Sequence, residues 1–248
     1  MNPILNIFLL SLLAGLATGV GGLIAIIRKP GKRLFGFLMG TTAGFMIALS
    51  FLELINESLK LSGILITIIC LSLGALFMFL IDFLIPHIHF NEKENHVFDS
   101  KLFKTGVLTA IGISIHNLPE GIVIGVGYML APKFGIFLAI AIALHNIPEG
   151  IATALPLYKS GLSKWKSFKV ALFSGLVEPI GALIAAFFLI SYSNLIPYSL
   201  AFAGGVMIFI SLDELIPCAR RYGNHSLTTT GIILGGLLFF VLSKIFGV

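Results

Sequence analysis

Two short segments carry most of the chemistry this sequence could perform. His116, Asn117, Leu118, Pro119, Glu120 and Gly121 recur 29 positions later as His145, Asn146, Ile147, Pro148, Glu149 and Gly150. On a helix turning about 100° per residue, the imidazole of His116 and the carboxylate of Glu120 fall about 40° apart, with the Asn117 amide on the flank of the same arc. The second segment repeats that arc with His145, Asn146 and Glu149. Imidazole with carboxylate and amide oxygen suits a borderline ion such as Zn²⁺, Fe²⁺, Mn²⁺ or Cd²⁺, whereas Ca²⁺ and Mg²⁺ prefer all-oxygen sets and Cu⁺ prefers thiolate.

The prolines inside these segments lack the N–H that would bond Ile115 and Leu144, which predicts a kink and a freed carbonyl at the level of the ligands. Such irregular backbone is tolerated inside a membrane where it lines a wet cavity or is buried in protein. Glu178 followed by Pro179 has the same character, with Gly175 losing its partner, and Glu178 is expected to complete the site.

The elements that must hold these groups are membrane spans. Hydrophobic residues make up 57% of the 248 and charged residues only 11%, against roughly 25% charged in ordinary soluble chains. Apolar runs bounded by Pro, Gly or charge predict helices near 4–27, 34–56, 62–85, 103–130, 133–157, 168–191, 196–217 and 228–246. The expected fold is therefore an all-α integral membrane protein of eight transmembrane helices, forming one domain over residues 1–248. The first run meets Arg28 and Lys29 immediately after it, the reverse of a signal peptide, and is expected to remain a span.

Seven of the eleven acidic residues lie in or at the edges of these spans, namely Glu53, Asp82, Glu120, Glu149, Glu178, Asp213 and Glu214, and no Lys or Arg lies deep in one. Three midspan glutamates would cost on the order of 10 kcal/mol if ionised without a partner, at about 2.5–3.5 kcal/mol each on the most lenient scale. They must be protonated, be wetted or bind a cation.

Lys and Arg divide 13 against 3 between alternate sides of the predicted bundle. The positive-inside rule then places the 86–101 loop in the cytoplasm and both termini outside a multi-pass cytoplasmic membrane protein. The same placement explains the net charge of +5 without nucleic acid as a partner. Cys70 and Cys218 form no metal or disulfide spacing.

The chain also repeats itself. Residues 43–55 match 204–216 at seven of thirteen positions, and 14–25 match 174–185 at six of twelve, at offsets of 161 and 160. Five spans separate the members of each pair, so the predicted units, spans 1–3 against 6–8 and span 4 against 5, cross in opposite directions. Inverted repeats around a midplane site are a common plan of secondary transporters.

The doubled HNxPEG on adjacent spans, with Glu178-Pro179-Ile180-Gly181-Ala182 on the next, closely resembles the ZIP metal transporters, and within them the compact bacterial branch of ZupT and GufA-like members. The resemblance covers essentially the whole chain and implies import of zinc, and often of other divalent ions, toward the cytoplasm through a site between predicted spans 4, 5 and 6. By motif it implies that His116, Glu120, Glu149 and Glu178 hold one ion, with Asn117, His145 and Asn146 beside them and the glutamates able to bridge a second. Asn146 stands where some relatives carry Asp, which lowers the charge available to that second position. Alternating access, with spans 1, 4, 5 and 6 moving against 2, 3, 7 and 8, is the implied mechanism. Asp213 and Glu214 resemble the family's exit region without a His often found there.

Secondary expectations follow from the residues themselves. Glu53 and Glu214 are repeat-equivalent and are candidate entry or exit ligands with Asp213, while His87, His89 and His96 in the inner loop could collect emerging metal. Met46 and Met207 read as packing, and Asp82 as an interfacial cap. The ion is expected as transported substrate, with no catalytic cofactor. The partners are the ion and the lipid bilayer, with a homodimer left open. A passive metal-selective channel is the nearer alternative. An intramembrane metalloenzyme is the remote one, since His-Glu-x-x-His is absent and the spans hold only two histidines.

Overall fold

A computed structural model describes residues 2–28, 30–84 and 100–247. His87, His89 and His96, expected as metal collectors, lie outside the described residues, as does the side chain of Asp82. Among the described residues all regular structure is helical: α1 (Pro3–Arg28), α2 (Lys32–Leu49), α3 (Ile55–Leu84), α4 (Ser100–Leu130), α5 (Pro132–Lys159), α6 (Lys164–Gly175), α7 (Glu178–Ser191), α8 (Ile196–Ile210), α9 (Ile216–Tyr222) and α10 (His225–Phe246). The 26 residues of α1 extend about 39 Å, enough to cross a hydrocarbon layer of about 30 Å. The start of α5 is set by Pro132 after the extended Ala131, and that of α10 by Asn224, whose side chain accepts from the Leu227 N–H at 2.8 Å.

Seven stretches among the described residues are long and apolar enough to cross a membrane, where the sequence predicts eight. The difference lies in Lys32–Ile81, 50 residues that pass from α2 through a π-helical turn (Ser50–Leu54) into α3 with no loop. Gly63 inside α3 has φ 78° and ψ 172°, a conformation open essentially to glycine alone. Across it, the hydroxyls of Ser58 and Thr67 lie 3.0 Å apart. Nine residues of straight helix would separate them by about 13.5 Å along the axis, so the chain turns back at Gly63.

Two further differences concern continuity. The sixth predicted span breaks into α6 and α7 around Leu176 and Val177, and the seventh contains a second π-helical turn, Ser211–Leu215, before α9. α4 and α5 stay helical through Pro119 and Pro148.

Glycine lets the helix backbones touch, and the contacts obey the sequence repeats. A Cβ at Gly15 would lie 2.3 Å from the Gly175 carbonyl oxygen, and one at Gly175 would lie 2.2 Å from that of Gly15. A Cβ at Gly21 would lie 1.9 Å from the Ile147 oxygen and one at Gly181 2.2 Å from that of Leu118, and a Cβ at Gly150 would lie 1.9 Å from the Thr18 oxygen and one at Gly121 2.0 Å from that of Glu178. These contacts bind α1, α4, α5, α6 and α7 into one bundle. A second bundle is held the same way: Gly44 faces the Ile232 carbonyl as Gly205 faces that of Leu71, and Gly74 faces that of Phe202 as Gly235 faces that of Thr41, and a Cβ at any of the four would lie 2.0 Å from the oxygen. The third predicted span thus corresponds to α10, as the 161-residue offset requires. Backbone approach of this kind is how helices gain packing where lipid offers no hydrophobic drive.

The two bundles meet through large side chains. Phe137 of α5 packs on Phe239 and Phe246 of α10 with ring centroids 6.0 and 5.8 Å apart, and Met46 and Met207 are wholly buried in the apolar core, as expected of packing residues. The outside is apolar, with Ile64, Leu65, Ile233, Leu237 and Ile245 exposed, while Glu, His, Asn, Ser and Thr fill the buried polar set. This polarity is inverted relative to a protein in water.

Candidate metal centre

The centre of the first bundle is polar because α4 and α5 each turn one arc of His and Glu inward. His116 and Glu120 on α4 face Glu149 on α5, and one donor atom from each lies within 4.8 Å of the other two. His116 Nε2 is 3.1 Å from Glu120 Oε1 and 3.5 Å from Glu149 Oε1. Tetrahedral zinc with bonds of about 2.0–2.1 Å sets its ligand atoms about 3.4 Å apart, so these separations already match a coordination shell. His145 stands behind, with Nε2 2.9 Å from the same Glu120 oxygen.

All of these side chains are sealed from solvent: His116, His145 and Glu149 are 2% exposed, Glu120 1% and Glu178 not at all. No Lys or Arg is buried among the described residues. The donors available to the three carboxylates are therefore imidazoles and amides, and they fall short. Both oxygens of Glu149, one each of Glu120 and Glu178, His116 Nε2, His145 Nδ1 and the amide oxygens of Asn117 and Asn146 have no hydrogen-bond partner. Buried polar atoms are nearly always paired, so a concentration of orphans at one point marks a place built for something that supplies positive charge.

Glu178, expected to complete the donor set, has one oxygen held by an amide and the other without a partner. It opens α7 directly after the break at Leu176 and Val177, where the N-terminal end of a helix favours a carboxylate. One of its oxygens accepts a hydrogen bond from the Asn146 amide, and that same amide nitrogen donates to the Ala14 carbonyl of α1 at 2.9 Å. A backbone carbonyl only accepts, so Asn146 must present its NH₂ here and its oxygen on the other side. Asn117 is fixed in the same way, its NH₂ donating to the Ser174 carbonyl of α6 at 2.9 Å. Ala14 and Ser174 are repeat-equivalent, so the two amides are clamped by the same device on opposite sides of the pseudo-two-fold.

The structure separates the secondary candidates. Glu214 sits in the π-helical turn Ser211–Leu215, exposed, yet near enough for its charge to act on His116 and Glu149. Asp213 is its exposed neighbour. Glu53 occupies the matching π-helical turn but is 9% exposed and accepts from the Ser243 hydroxyl of α10 at 3.3 Å. Repeat-equivalent π turns under both glutamates have no signature in the residues. Thr18 is a group that the reading of the motifs missed: it is buried, its hydroxyl has no partner, and the 160-residue offset aligns it with Glu178.

Comparison with known proteins agrees with this geometry. Residues 87–243 match the model of the ZIP zinc transporter family. The chain is 40% identical to the zinc transporter ZupT of Streptococcus mutans over 256 residues, covering 96% of this chain and 97% of that protein. It is 40% identical to ZupT of Oceanobacillus iheyensis over 97% and 98% of the two chains, and 38% identical to ZupT of Akkermansia muciniphila over 97% of each. These are transporters and not enzymes. A lipid-facing apolar surface, paired repeats and a sealed imidazole–carboxylate cluster are the parts such a carrier needs, and the chain belongs to the ZIP zinc transporter family.

Proposed function

We propose that the protein carries a divalent transition-metal ion, zinc foremost with Fe²⁺, Mn²⁺ and Cd²⁺ as further candidates, across the cytoplasmic membrane toward the cytoplasm. The observation that carries this reading is the sealed cluster of His116, Glu120 and Glu149, spaced as zinc ligands are and short of hydrogen-bond donors. The relatives' naming as zinc transporters supports the choice of ion. His145 orients Glu120, while Asn117, Asn146 and Glu178 form the flanking set that the ion meets as the site changes shape.

The turn at Gly63 supports counting Lys32–Ile81 as two crossings, which makes eight and returns both termini to the outer face. The first bundle is locked by glycine contacts and meets the second through bulky apolar side chains, an interface over which one body can shift against the other. Glu214, exposed and electrostatically coupled to the site, fits an inner exit group, and Glu53 fits its outer counterpart, closed off in this conformation.

The test is zinc uptake by the purified protein in proteoliposomes, with Glu149→Gln and His116→Ala. Each should lose uptake and lose zinc-dependent thermal stabilisation in detergent. Wild-type uptake in either variant would remove the site from the pathway. Adding competing Fe²⁺, Mn²⁺ and Cd²⁺ ranks the ions.

A further inference from the structure

Among the described residues most buried hydroxyls return to their own helix, Thr18 and Thr228 being without a partner. Ser11, Ser50, Thr153 and Ser211 each bond the carbonyl four residues back at 2.7 to 3.0 Å. Thr18 does not, although it is wholly buried in the middle of α1. The reason is local. The carbonyl four residues before Thr18 is that of Ala14, which accepts the helix N–H of Thr18 and also the side-chain NH₂ of Asn146. With both lone pairs engaged, it leaves the Thr18 hydroxyl to find a partner elsewhere.

Its surroundings are those of Glu178 seen through the pseudo-two-fold. The Thr18 carbonyl abuts Gly150 as the Glu178 carbonyl abuts Gly121. Glu178 faces the amide of Asn146, and Thr18 correspondingly belongs beside Asn117. The contacts agree, because Asn117 bonds the Ser174 carbonyl while the Thr18 side chain packs on Gly175, the next residue. The Asn117 amide oxygen is buried and unpartnered too. Two neutral oxygens, each buried and without a partner, are left for one ligand.

Building on the zinc-site reading above, we propose that the Thr18 hydroxyl and the Asn117 amide oxygen form a neutral niche for the transported divalent cation, opposite the Glu178–Asn146 pair. The ion meets uncharged oxygen on this side and carboxylate on the other.

Zinc binding by the full chain in detergent, measured calorimetrically, and uptake in proteoliposomes test this with zinc alone as probe. Thr18→Val keeps the shape and removes the hydroxyl; it should bind zinc about tenfold more weakly, as expected for one hydrogen bond or ligand to a charged group. Its unfolding midpoint without metal should stay at the wild-type value, and Thr18→Ser should restore affinity. Thr18→Asp, which places a carboxylate opposite Glu178, should raise the zinc bound per chain. The proposal falls if Thr18→Val binds and transports within twofold of wild type, or, where that variant does not fold, if Thr18→Asp binds no more zinc than wild type. Glu149→Gln in parallel separates the two readings: wild-type zinc binding in that variant overturns the site itself, whereas its loss beside an unaffected Thr18→Val overturns only the niche.

Discussion

Gly150 follows the Glu149 carboxylate and marks where α5 touches α1, so an alanine there tests whether backbone contact holds the site together. A Cβ would stand 1.9 Å from the Thr18 carbonyl oxygen, against 3.4 Å for an ordinary contact, and the obstacle is backbone that cannot rotate aside. The helices must part by the difference, 1.5 Å. One turn away the Asn146 amide bonds the Ala14 carbonyl at 2.9 Å, and such a shift carries that pair to about 4 Å or more, outside hydrogen bonding. Overpacking costs about 1–3 kcal/mol and a broken buried hydrogen bond about 1–3 kcal/mol, so Gly150→Ala should lose about 2–6 kcal/mol. Gly112 and Gly236 sit in helices with open space around them, and alanine at either should gain up to about 1 kcal/mol from helix propensity. Unfolding midpoints of the three variants in one detergent, with zinc-dependent stabilisation measured on each, decide the matter. A Gly150→Ala protein as stable as Gly112→Ala, with its zinc response intact, would refute the claim that these contacts set the geometry of the metal centre.

Further expectations follow from the same geometry. Gly63→Ala meets no steric obstacle, but its φ of 78° with ψ of 172° strains any side-chain-bearing residue, so the loss should be about 1–3 kcal/mol in the same melting assay. Asn146→Asp puts a carboxylate against Glu178 and removes the donor to Ala14; the metal-free protein should melt lower and zinc should raise its midpoint by more than in wild type. An Asn146→Asp protein with a smaller zinc response would speak against Glu178 standing beside the ion path. Glu214→Gln removes an exposed charge that acts on His116 and Glu149, so uptake at low zinc should slow a few-fold while the unfolding midpoint stays put. An unchanged uptake rate would detach Glu214 from the exit.

Much of this site could be read directly from residue order because it is written twice. His and Glu four apart, repeated at 29 residues, define the inward arcs of α4 and α5, and helix periodicity alone brings His116 to Glu120. Hydropathy likewise located the apolar runs. What stayed hidden depends on how helices touch. One oxygen of Glu178 meets an amide whose orientation is forced by the Ala14 carbonyl of α1, and nothing in the residues near Glu178 announces that carbonyl. Spans ending near 56 and starting near 62 put the turn a few residues early, because polar Asn56, Glu57 and Lys60 read as a loop where the helix continues to Ser62. The π turns at Ser50–Leu54 and Ser211–Leu215 add one residue per turn to segments that read as ordinary helix.

The repeats make matching backbone contacts and differ in chemistry. Gly15 with Gly175, Gly21 with Gly181 and Gly121 with Gly150 keep the two halves superimposable. On that frame Glu178 answers Thr18, a carboxyl group against a hydroxyl, both buried. Further out, Glu214 is exposed and within electrostatic reach of the site, whereas Glu53 is buried against Ser243. Two equivalent residues in unequal surroundings are what a structure of inverted repeats has when it rests in one of two interconvertible states, since an exchange of the repeats' conformations exchanges their surroundings. In the alternate state Glu53 should therefore be the accessible carboxylate and Glu214 the enclosed one. Thiol labelling of Glu53→Cys and Glu214→Cys tests this: conditions that shift the population should raise one rate as they lower the other. Rates that rise and fall together would mean that the asymmetry belongs to the residues rather than to the state.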